Sequence, residues 1–105
     1  MTEYFLVRSA KGPAWDHGRL RREQQGWDEH ATFMDALTEA GVVVLGGPVG
    51  AGDGEDALLV VDLPDESTVR ARLAGDPWYR DGVLRIRGVE RWNVLLDNRL
   101  GSVGQ

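Results

Sequence analysis

Two four-residue stretches constrain this chain more than anything else in it. Val42-Val43-Val44-Leu45 and Leu58-Leu59-Val60-Val61 are apolar at every position, the pattern of a strand buried on both faces. An antiparallel sheet with one wet face alternates apolar and polar side chains instead. The chain has 105 residues, enough for one domain burying roughly 60–65% of its unfolded surface and too few for a second core. Two helices of the length available here cover one face of a sheet. The other face needs apolar cover, and a second copy of the chain is the nearest source. Residues 10–26, folded back over that face, are the alternative.

The rest of the pattern supplies the other elements. Residues 3–8 alternate, with Phe5 and Val7 against Tyr4 and Leu6, and predict a strand. Residues 9–18, with Gly12, Pro13 and Gly18, read as a loop, and residues 19–25 are good helix formers. Trp27, His30 or Ala31, Met34, and Leu37 or Thr38 then recur at helical spacing, with Asp28, Asp35 and Glu39 on the other side. Gly41 closes that helix. The valine-rich strand over residues 42–45 ends at Gly46-Gly47-Pro48, and residues 51–55 form a hairpin connection to a strand over residues 57–63. Asp65 is the expected N-cap of a short helix carrying Val69 and Leu73 and stopped by Gly75. Asp76-Pro77 opens another turn, since Pro suits the first helical position. Leu84 and Ile86 alternate with Arg85 and Arg87 in a last strand over residues 83–94.

Strand, helix, strand, strand, helix, strand predicts a ferredoxin-like α+β domain. Its four-stranded antiparallel sheet has both helices on one face and pairs through the other as a dimeric α+β barrel. One domain is expected over residues 1–97, followed by a flexible polar tail over residues 98–105.

Composition removes several function classes. There is no cysteine, hence no disulfide and no thiolate metal site. The two histidines, His17 and His30, do not stand at metal-ligand spacing. A net charge of −5 argues against nucleic acid, which needs concentrated positive charge. No apolar run approaches the ~20 residues of a membrane helix, and no signal-peptide pattern opens the chain; a cytoplasmic protein is expected. Neither a phosphate-binding GxxxxGK[ST] nor a GxSxG elbow occurs. Arg19, Arg21 and Arg22 read as a solvated helix face.

His30 is the sharpest candidate for chemistry. Its spacing from Trp27, Met34 and Leu37 puts it on the helix face that meets the sheet. Imidazole is the side chain whose charge changes nearest neutral pH, which suits a general base or acid. A hydrogen-bonded structural histidine fits the same position.

Three short segments carry a resemblance. Trp27-Asp28-Glu29-His30-Ala31-Thr32-Phe33-Met34, Val44-Leu45-Gly46-Gly47-Pro48 and Asp76-Pro77-Trp78, in this order and spacing, resemble the YciI-like (YCII-related) family over residues 3–97. The resemblance implies the ferredoxin-like fold, a dimeric barrel, and a functional His and Asp at His30 and Asp76. It also implies acid–base chemistry without a metal or organic cofactor, as in a family dehydrochlorinase acting on a chlorinated hydroxyhydroquinone. Residues 12–26 are longer than in compact members. Asp76 has two readings, an N-cap or a partner that orients the imidazole, and both can hold together.

Around this pair, Trp15, Trp27 and Trp78 are candidates for an aromatic wall against a flat substrate ring. Gly47 and Pro48 belong to a turn whose backbone amides could approach a substrate oxygen, or that merely bends the strand. Glu23 and Gln24 stand where they could add a polar contact, and His17 lies in the Gly-rich loop. The expected activity is a cofactor-independent lyase or isomerase working on a small cyclic or aromatic metabolite. The alternatives are a non-catalytic ligand-binding or accessory module and a cofactor-free monooxygenase.

Overall fold

The computed structural model describes residues 2–50 and 56–100, Leu100 by its backbone alone. The hairpin connection expected at residues 51–55 and the end of the tail lie outside the described residues. Strands β1 (Thr2–Lys11), β2 (Val43–Pro48), β3 (Asp56–Val61) and β4 (Leu84–Val94) form one antiparallel sheet in the order β2-β3-β1-β4. Helices α1 (Trp27–Glu39), α2 (Glu66–Leu73) and the one-turn α3 (Pro77–Arg80) complete the ferredoxin-like fold. No helix among the described residues is long and apolar enough to cross a membrane.

Strand register explains the two-sided apolar pattern. Phe5 and Val7 pair with Val61 and Leu59, so they share one face, where Val43 joins them. Leu37 of α1 and Val69 and Leu73 of α2 close over that face to form the core. Asp65 begins α2 as expected, its carboxylate accepting the Thr68 amide at 2.8 Å. Tyr4, Leu6, Val60 and Trp92 point the other way. There Leu45 is 53% exposed and Trp92 44%. The chain after β4 reaches this face: Leu96 and Arg99 line a shallow groove with Tyr4, Leu45, Val60 and Trp92. Asn98–Leu100 make a one-turn 3-10 helix, with Arg99 paired to Asp97, where the sequence suggests a loose tail.

Residues 10–26 do not cover the open face. Ala10 and Lys11 extend β1 beyond the expected residues 3–8, because pairing with β4 resumes after an irregularity between Arg8 and Ser9. Gly12 then donates its amide to the Val83 carbonyl at 2.8 Å. Only glycine fits, since a Cβ there would run into the Gly82 carbonyl. Trp15 is buried with Trp78, Val83 and Leu84, on the helix side of the sheet.

Two local expectations are corrected. Gly46, Gly47 and Pro48 do not turn; they continue β2 opposite Leu59, Leu58 and Ala57, and proline is tolerated because β2 is an edge strand. Residues 19–25 form only one 3-10 turn, Arg21–Glu23. The buried Gln24 amide stops a longer helix. Its Nε2 donates to the Asp16 carbonyl at 2.7 Å and the Arg19 carbonyl at 3.0 Å, and its Oε1 accepts the Asp16 amide at 2.9 Å.

Candidate active site

Gly26 sets the entry of α1. It caps the helix at a φ of 79°, a left-handed conformation that glycine adopts freely. Trp27 therefore starts the helix, and His30 falls on its buried side, one turn in. After α2, the turn at Gly75 delivers Asp76 to the head of α3, with Pro77 in the first position.

Asp76 occupies the N-cap position without capping: its carboxylate bonds no amide of α3. Oδ2 lies 2.8 Å from His30 Nδ1 instead. Of the two readings of Asp76, the side chain satisfies the imidazole one. A carboxylate only accepts, so Nδ1 carries the proton and donates it. Asp76 is 0% exposed, and its Oδ1 is the one buried side-chain polar atom without a partner among the described residues. Leaving such an oxygen unbonded costs roughly 1–3 kcal/mol, which makes the bond to His30 the carboxylate's main compensation. His30 Nε2 has no hydrogen bond among the described residues and is not among the buried unpaired atoms, so it opens to solvent.

Aromatic rings surround the pair. The Trp78 indole stacks on the His30 imidazole, 3.9 Å between centroids and 7° between planes. Trp15 meets Trp78 edge-on at 5.8 Å, and Trp27 lies 5.6 Å from Trp78 and 5.8 Å from His30. Trp27 and Trp78 border His30, and Trp15 joins the cluster through Trp78. Trp78, however, is 1% exposed, with one face taken by the imidazole, and it presents no free face to a substrate.

Gly47 and Pro48 stand elsewhere. They lie on β2, at the opposite edge of the sheet from β4, and neither lines the cleft that runs past Trp78. That cleft, about 690 Å³, is lined by Arg19, Gln25, Glu29, Trp78 and Arg80 among others, and His30 does not reach it. His17 and Glu23 are exposed; Glu23 accepts the Leu20 amide at 2.9 Å.

Some neighbours of the pair had no signal in the sequence. Ser9 Oγ and Tyr79 Oη lie 2.6 Å apart, joining β1 to α3. Burial pushes the Tyr79 phenol up to about 12; Asp76 adds to the rise, while the Ser9 hydrogen bond and Arg21 pull it down. Tyr79 stands three residues after Asp76, within α3. Arg21 and Arg22 are not a plain solvated face. Their guanidinium carbons lie 5.1 Å from the Trp15 ring and 5.7 Å from the Trp27 ring.

Residues 5–93 match the model of the YCII-related domain family. The chain belongs to this family. No curated protein matches it. Among solved structures it is similar to the 5-chloro-2-hydroxyhydroquinone dehydrochlorinase from Burkholderia phenoliruptrix AC1100, in complex with 2,5-dihydroxybenzoquinone. The identity is 17%, 90% of this chain and 97% of that one are covered, and the TM-score is 0.51. At that identity the likeness establishes the shared fold, that of a YCII-related domain.

Proposed function

We propose that this YCII-related protein is a small acid–base enzyme of the lyase or isomerase type, acting on a small cyclic or aromatic metabolite. The observation that carries the reading is the buried 2.8 Å bond from His30 Nδ1 to Asp76, with Nε2 left open. Asp76 fixes the tautomer, so the lone pair sits on Nε2, and it stabilises the imidazolium that forms when Nε2 takes a proton. In an elimination, the electron pair of the broken C–H or O–H bond forms a new double bond and expels a leaving group with its own pair. In an isomerisation, Nε2–H returns the proton to a neighbouring atom. A base so placed contributes about 10²–10⁴-fold. The dehydrochlorinase of similar fold, named for a chlorinated hydroxyhydroquinone, supports hydroxylated rings as the first substrates to try.

A second copy of the chain, docked on the open sheet face, is part of the proposal. Leu45, Trp92 and Leu96 are exposed there together, an arrangement a soluble monomer rarely leaves in water.

The test is turnover of a panel of hydroxylated rings, beginning with chloride release from 5-chloro-2-hydroxyhydroquinone, by the wild type and His30→Ala. Loss of about 10²–10⁴-fold in the variant is expected. Unimpaired turnover by His30→Ala, or saturable binding by the wild type with no product, contradicts the proposal.

A further inference from the structure

We infer that Trp78 is a positioning residue acting through His30: its indole face holds the imidazole and favours its protonated form, and the substrate does not stack on it. The inference builds on His30 as the base, but its readout needs no substrate.

The geometry is that of a face-on stack, with centroids 3.9 Å apart and planes 7° from parallel. An aromatic face carries negative potential, and indole carries the most of the aromatic side chains. The ring is also clamped. Trp78 Nε1 donates to the Gln25 carbonyl at 2.8 Å, and Trp15 and Trp27 pack against it. With Trp78 1% exposed, the interaction is shielded from water, the condition under which a cation over a ring gains most. Residues 12–26 acquire a purpose in this picture. They supply the Gln25 carbonyl, the Trp15 edge and the Gly26 turn that fix the plane of the indole.

Other charges lie on the elements around His30 and its tryptophans, and the test must hold them constant. Asp76 comes from the head of α3, where Tyr79 and the Arg80–Asp81 pair follow. The 3-10 turn brings Arg21, Arg22 and Glu23, with Arg22 over Trp27. Lys11 of β1 lies 5.0 Å from the Trp15 ring. Asp28 and Glu29 are on α1 itself, and β2 contributes no ionisable side chain.

The experiment is NMR titration of the His30 ring in wild type, Trp78→Phe and Trp78→Leu. The expected midpoints fall in that order, by about one pH unit between the first and the last. A second arm keeps the ring size nearly constant. Tryptophan is replaced by its 5-fluoro and 5,6,7-trifluoro forms in a Trp27→Phe background, which weakens the face of the ring stepwise. The midpoint then falls with each fluorination, and the acidic limb of any pH–rate profile moves with it. A midpoint that stays fixed or rises along the fluorinated series overturns the inference. Turnover surviving His30→Ala overturns the function proposed above instead, so the two failures are distinguishable.

Discussion

Asp76 and His30 are 46 residues apart in the chain and 2.8 Å apart in the fold, and the contact is made at the expense of a helix cap. A carboxylate before proline ordinarily accepts the first free amides of its own helix. Here it turns away from α3, loses contact with water and leaves Oδ1 without a partner among the described residues. The local arrangement is suboptimal in a way that serves the imidazole. Asp76→Asn keeps the shape and removes the charge, so kcat falls by about 100-fold or more while the fold persists. Asp76→Ala strands Nδ1 as well and lowers stability by about 1–3 kcal/mol in chemical denaturation. Wild-type kcat in Asp76→Asn would remove Asp76 from the mechanism.

Tyr79 gives a pH dependence whose sign follows from burial. Its phenol titrates at about 12 in the folded chain against 10.0 for the free side chain. A group whose pKa is raised by folding contributes stability that is whole below the unfolded value and lost as pH climbs through the folded one. Stability therefore declines between pH 10 and pH 12, by ~2 kcal/mol. Tyr79→Phe flattens that limb, and the phenolate absorbance of the variant lacks the late-titrating component. An alkaline limb unchanged by the substitution refutes the assignment.

Gln24 holds the segment before α1 through one buried amide. Its bonds to the Asp16, Arg19 and Leu20 carbonyls and the Asp16 amide close residues 16–24 into a loop. Gln24→Ala releases them together. Tryptic cleavage after Arg19, Arg21 and Arg22 is expected to accelerate by about tenfold or more, with far-ultraviolet circular dichroism unchanged. Equal cleavage rates would show that the loop is held elsewhere.

Much of the fold was legible because it depends on local pattern. The fully apolar runs at residues 42–45 and 58–61 became β2 and β3, and the helical spacing from Trp27 to Leu37 became α1. Asp65 capped as its position suggested. Pattern and structure part where a distant partner outweighs local chemistry. Gly46-Gly47-Pro48 reads as a turn, yet pairing with β3 holds it extended. Residues 19–25 favour helix, yet the Gln24 side chain satisfies the carbonyls that a helix would have used. For the site, the helix face pointed to His30, and the family resemblance pointed to Asp76. The Ser9–Tyr79 bond spans 70 residues, and the Trp78 stack depends on two bends of the chain. Neither leaves a periodic trace.

The open sheet face predicts an assembly. Wild-type protein should sediment as two chains of 11.6 kDa each, and Trp92→Arg, which puts a charge amid Leu45 and Leu96, should sediment as one. A stable, soluble single chain in the wild type would show that the face needs no second copy.

The role of His30 as a base depends most on which imidazole nitrogen holds the proton when the ring is neutral. Nitrogen-15 chemical shifts of the labelled ring, recorded above its titration, report this directly. The prediction is a protonated Nδ1 facing Asp76 and a bare Nε2, the pattern being lost in Asp76→Ala. A protonated Nε2 in the wild type would leave no lone pair where a substrate could reach it, and would contradict the role of His30 as a base.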